Sequence, residues 1–248
     1  MNNSFHIISI LSVVSGFLCA GMILIYIFPN RRQPMKIMET VWPLTGLWAG
    51  WIGLWAYFRM GVLPKKKENM NMGNTLSPTN HLPQAHQETG MNMEMDMSPR
   101  SSWQTVALST LHCGAGCTLA DIIGEWFTFL VPVSISGSFI AGQWTLDYLL
   151  ALIIGVFFQY AAIHPMEHLS RRATLIKAFK IDFFSLTSWQ IGMYGWMAIV
   201  IFGLYRGNPL PRNSWEFWFM MQIAMCCGFL TSYPTNWLLI KLGIKKGM

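Results

Sequence analysis

The chain has 248 residues, of which 53% are hydrophobic and only 11% charged, with a formal net charge of +6. Soluble domains run near 25% charged, so this composition excludes a soluble globular enzyme and points to a protein embedded in a bilayer. The excess of Lys and Arg fits loops beside anionic lipid and requires no nucleic-acid partner.

Crossing the hydrocarbon core takes about 20 helical residues. Apolar runs of that order lie at 5–28, 41–58, 103–131, 145–164, 181–204 and 215–240. They are unbroken rather than alternating, which predicts an all-α, polytopic membrane bundle of six transmembrane helices and not a β-barrel. The first run lacks a basic n-region and a small-residue cleavage site, so it reads as a retained helix. The second opens on Trp42 and Pro43 and carries Trp48, Trp51 and Trp55, aromatics suited to an interface or to packing. The third continues past Val131 with Pro132 inside it, and 126–142 is the alternative seventh span. Three parts follow: two N-terminal helices over 1–58, a linker over 59–102 and a helical core over 103–248.

With six spans, Arg59, Lys65, Lys66, Lys67, Arg100, Arg171, Arg172, Lys177, Lys180, Lys241, Lys245 and Lys246 share one side. The positive-inside rule makes that side cytoplasmic and places both termini and the linker there, as in a bacterial inner membrane. Arg31, Arg32 and Lys36 directly after the first helix pull the other way.

Residues 64–100 carry Pro64, Pro78, Pro83 and Pro99 among many Asn, Gln, Ser and Thr, the composition of a flexible linker. Such linkers are usually poor in Met, yet this one reads MNMEMDM with Met91, Met93, Met95 and Met97, preceded by Met70, Met72, His81 and His86. Thioethers and imidazoles on a loose chain can collect a soft ion as an accessory to a tighter site.

Inside the apolar runs, sulfur side chains recur at a spacing of four: Cys113 and Cys117, Met193 and Met197, Met221 and Met225. That spacing puts both members of a pair on one helix face. Measured from the helix ends, the pairs fall between about 15 and 24 Å deep and share one layer. Thiolate and thioether suit Cu(I) or Ag(I), whereas any one Met pair alone is more often ordinary packing. The five cysteines all lie in apolar segments, so no disulfide framework is expected, and Cys19 reads as a small buried hydrophobe.

LHCGAGCTLADIIGEW, from Leu111 to Trp126, is the densest chemistry. His112 adjoins the thiols, and Asp121 and Glu125 continue their stripe. Gly114 and Gly116 either break the helix, letting His112 turn toward the sulfurs, or permit close packing. Ionisable groups at membrane depth are costly and usually line a functional interior. The carboxylates are expected to balance charge or carry protons, and not to ligate a soft ion. His164 is a candidate entry ligand where Pro165 ends a helix, Cys226 is favoured over Cys227 as the thiol sharing Met225's face, Asp182 is a candidate N-cap of the fifth helix, and Gln190 and Gln222 are placed to hydrogen-bond between helices.

HCGAGCTLADIIGEW, FQYAAIHPM, QIGMYGWM, MQIAMCCGF, TSYPTNW and the closing GIKKGM together resemble an uncharacterised bacterial multi-pass membrane family, a domain of unknown function. The resemblance runs from about residue 42 to the C-terminus apart from the linker, with His112, Cys113, Cys117, Asp121 and Glu125 on its most specific segment and Ala120 where a Gly is common. It implies a membrane bundle and carries no activity. The leading reading is a protein binding or moving copper or silver, with a metallochaperone or a second copy of the chain as partner. Alternatives are a haem- or quinone-linked oxidoreductase using His112 and His164 or a Met, and an assembly protein without chemistry. There is no CxxCH haem-attachment motif, P-loop or GxSxG elbow, so neither ATP-driven nor serine-hydrolase chemistry is indicated.

Overall fold

The computed structural model describes residues 3–30, 35–62, 102–131, 133–135, 137–166, 170–206 and 210–245. Six helices follow in order: α1 Asn3–Asn30, α2 Met38–Ala56, α3 Ser102–Leu130, α4 Phe139–Met166, α5 Arg171–Ala198 and α6 Trp215–Lys241. π-helical turns extend α2 over Tyr57–Gly61 and α5 over Ile199–Leu204. Asn3–Phe28, Ser102–Leu130, Phe139–His164 and Trp215–Lys241 are each long and apolar enough to cross a membrane. The linker methionines Met91, Met93, Met95 and Met97, with His81 and His86, lie outside the described residues.

The region 126–142 is not a separate helix. α3 stops at Leu130, Ile135 and Ser138 pair across a turn in which Gly137 has φ +79°, and α4 begins at Phe139. Glycine accepts positive φ, and Gly137 marks the interruption. α5 begins ten residues before its apolar run, because the Ser170 hydroxyl accepts the Ala173 N–H and caps it, a role serine fills well. Asp182 is therefore three turns inside α5 and caps nothing.

α3 is the central helix, buried along most of its length and packed on α2, α4, α5 and α6. Its GAG segment does not break. Gly114 makes room for the Trp189 indole, and a Cβ on Gly116 would stand 3.2 Å from the Gly155 Cα of α4. These glycines serve close helix approach. Because α3 stays helical, His112 is directed away from the thiols and packs its ring against Phe158, centroids 5.9 Å apart.

The break lies in α2, where Gly50 adopts φ +52° and ψ −126°, a conformation only glycine enters cheaply. Irregular backbone packed among helices needs neighbouring groups to receive its polar atoms. Gln222 of α6 does so, donating from Nε2 to the Leu47 carbonyl at 2.7 Å while its Oε1 accepts the Ser12 hydroxyl at 2.7 Å. Gln222 thus ties α1, α2 and α6 together. Gln190, buried in α5, makes no such tie among the described residues.

Candidate functional site

α3 carries Ser109, Cys113, Cys117, Asp121 and Glu125 at four-residue intervals, a file about 24 Å long at 1.5 Å per residue that winds about 40° around the helix at each step. Cys113, Cys117, Asp121 and Glu125 are all buried. α4 and α5 supply further polar groups to it, and the segments flanking α6 supply one cation at each end.

At the α6 N-terminal end, Arg212 Nε donates to Glu125 Oε2 at 2.8 Å. Gln143 completes a triangle, donating from Nε2 to Glu125 Oε1 and accepting Arg212 Nη2 at its Oε1. Behind this triangle lies a cavity of about 400 Å³ lined by Asp121, Glu125, Asp147, Tyr194 and Arg212 together with Met193, Met197 and Met221. Asp147 is seated by Gly124, since a Cβ there would collide with its carboxylate. Both Asp121 oxygens and Asp147 Oδ1 have no hydrogen-bond partner among the described residues. Asp121 and Met221 also line a second, mainly apolar groove, of similar volume, among Val13, Phe17, Trp48, Trp126 and Trp218. Three carboxyl groups and one guanidinium thus share the first cavity.

Toward the C-terminal tail the file becomes thiol and carboxylate. Cys113 adjoins Cys117 on its own helix and stands 3.9 Å, Sγ to Oδ1, from Asp182 of α5. Asp182 is fully buried, its Oδ2 is unpartnered among the described residues, and Gly155 of α4 leaves the space it fills. Ser185, one turn further along α5, accepts Asn236 Nδ2 at 2.7 Å, and Asn236 Oδ1 accepts Lys245 Nζ at 2.7 Å. Lys245 Nζ also donates to the Ser109 carbonyl at 3.1 Å.

The sulfur residues fall into stations along the file instead of one layer. Met193, Met197 and Met221 converge on the cavity with Asp121 and Glu125, while Cys113 and Cys117 lie one to three turns away and do not line it. Met225 faces the apolar groove, its Sδ 3.9 Å from Thr118 Oγ1. Cys226 is exposed on the bundle exterior, because the residue after Met225 is rotated about 100° around the helix, so it is no partner of Met225. His164 is exposed with its ring on Tyr160, centroids 5.2 Å apart, six residues along α4 from the Phe158 that covers His112. Among the described residues no three His, Cys, Asp and Glu side chains group closely enough to hold a metal ion. Asp147, Gln143 and Arg212 were not singled out as site residues from the sequence, although a lone acid in the apolar run after Trp144 is itself a pointer to function.

An all-helical bundle with helices apolar enough for a membrane, enclosing a file of carboxylates and thiols, is the class of protein these features define. A family model described as a domain of unknown function (DUF4396) matches residues 102–245, more than half of the chain. The chain belongs to that family. The matched segment comprises α3 to α6 and ends at Lys245. No curated protein matches the chain. No solved structure matches it either.

Proposed function

We propose that this protein is a six-span protein of a bacterial inner membrane that binds a soft monovalent ion, Cu(I) or Ag(I), within its bundle and passes it along the α3 file. The observation that carries the reading is the cavity in which the thioethers of Met193, Met197 and Met221 meet the carboxylates of Asp121, Glu125 and Asp147. Thioethers are neutral ligands for soft ions, and the carboxyl groups beside them can balance the charge of an ion in transit or carry protons against it. Beyond Asp121 the file offers Cys117 and then Cys113, tighter ligands for the same ion. With both termini cytoplasmic, the Arg212 mouth opens outside and the Cys113 end inside.

Silver titration of the purified full chain in nanodiscs, read by calorimetry and metal content, tests this. The four linker methionines Met91, Met93, Met95 and Met97 are changed to Leu beforehand, so that they do not mask a loss. Cys113→Ser with Cys117→Ser removes the tightest site, because a hydroxyl is a poor soft-ion ligand. Met193→Leu, Met197→Leu and Met221→Leu together remove a weaker one at nearly conserved volume. Cys19→Ser and Cys226→Ser leave silver binding unchanged. Equal stoichiometry and affinity in both the thiol and the thioether variants would overturn the reading.

A further inference from the structure

The C-terminal tail turns back into the bundle by a defined motif. Gly243, at φ +69°, donates to the Ile240 carbonyl at 3.0 Å, and the Ile244 N–H reaches Leu239 O at 3.0 Å. This pair of bonds is a Schellman cap, which needs the left-handed conformation glycine supplies. Its outcome is unusual for a lysine beside a helix end, where the ammonium normally reaches water. Lys245 is 3% exposed.

Its ammonium has three donors, and the two hydrogen bonds it makes among the described residues are to neutral oxygens, the Ser109 carbonyl and Asn236 Oδ1. A buried charge is costly unless an opposite charge offsets it. The acid on the same stretch of the bundle is Asp182, one turn of α5 from Ser185, the residue that the Lys245–Asn236 pair reaches. Ser109, which holds the ammonium, is one turn from Cys113 on α3, and Cys113 adjoins Asp182. Burial pulls the Lys245 ammonium below its ordinary range, and the acidic groups of Cys113 and Asp182 pull it back up. Asp182 Oδ2 has no partner among the described residues although the residue is fully buried, so an acceptor beside Cys113 is still to be satisfied.

We infer that Cys113 and Asp182 form a seat for one monovalent cation, which the Lys245 ammonium serves as a tethered substitute when no ion is bound. The exchange conserves charge: one positive group leaves as one arrives, and the buried carboxylate is never left alone. Ion binding and docking of the tail exclude each other, and the tail is released on the side from which Lys245 enters. The inference rests on the soft-ion reading and deepens it.

Lysine methylation followed by mass spectrometry, on the full chain in nanodiscs, reads the exchange directly. Lys245 is expected to be protected relative to exposed Lys241 in metal-free protein, and Ag(I) is expected to expose it, but not in Cys113→Ser. Lys245→Leu removes the competitor without adding a thioether and tightens silver binding by about tenfold if the substitute is seated nine-tenths of the time, whereas Lys241→Leu changes nothing. Equal reactivity of Lys245 and Lys241 without metal overturns the inference. So does continued protection of Lys245 in the presence of silver: where silver still binds to Cys113 and Cys117, the soft-ion reading stands without the exchange, and where silver does not bind, both fall.

Discussion

Arg212 and Glu125 close the mouth of the polar cavity: the guanidinium donates to the carboxylate at 2.8 Å, and Gln143 bonds to both. Arg212 side-chain exposure is 26% against 5% for Glu125, so water reaches one member of the pair and hardly the other. Removing a partner from a buried pair is strongly destabilising, and partial exposure reduces the cost. Arg212→Gln is expected to lower stability by about 1–3 kcal/mol, with most of it restored by adding Glu125→Gln. Thermal unfolding of the three proteins in one detergent provides the check. A single variant as stable as the parent would show that the ion pair does not hold the mouth.

Asp121 faces both the polar cavity and the apolar groove, and neither of its oxygens is satisfied among the described residues. As a hard oxygen ligand it suits a soft ion poorly. Asp121→Asn and Glu125→Gln are expected to leave equilibrium silver binding within about threefold, less than the 1.4 kcal/mol that a tenfold change represents. Both are expected to abolish the pH dependence of silver uptake into vesicles, since an amide carries no proton in this range. Loss of bound silver as complete as in the Cys pair would make the carboxylates ligands and turn the site toward harder ions such as zinc or manganese.

Gly114 is where a methyl group would run into the Trp189 indole, itself fully buried. Overpacking of a tight interior costs about 1–3 kcal/mol. Gly114→Ala is expected to fall in that range, and Gly21→Ala, where a Cβ meets nothing within 4 Å, to leave the unfolding temperature unchanged. Should Gly114→Ala melt with the parent, the close approach of α3 to α5 is not what sets this position.

The α3 file was legible because four-residue spacing survives any choice of helix ends: each of Cys113, Cys117, Asp121 and Glu125 shares a face with the next wherever the helix begins. Depth comparisons between helices depend on those ends, and they misled. The basic stretch Arg171 to Lys180 reads as loop, but Ser170 caps a helix through it. That extension moves Asp182 from a terminus to the side of Cys113. Rotational phase was equally hidden, so Cys226 seemed to share a face with Met225 until the packing of α6 on α5 and α1 fixed its outward direction. Where Lys245 points depends on the long-range partner Ser109, which no local pattern near the C-terminus announces. The break at Gly50 left no mark among the tryptophans around it.

The match to the family begins at residue 102, leaving α1 and α2 outside it, and two polar links join them to α6. His6 meets Glu216 at 2.6 Å, and Ser12 with the Leu47 carbonyl holds Gln222. A domain stripped of those two helices would present a carboxylate and an amide to hydrocarbon, which satisfies neither. The N-terminal helices are in this sense a fitted lid over α6. A relative consisting of the family segment alone would need an apolar residue in place of Gln222, or a neighbouring chain to cover it.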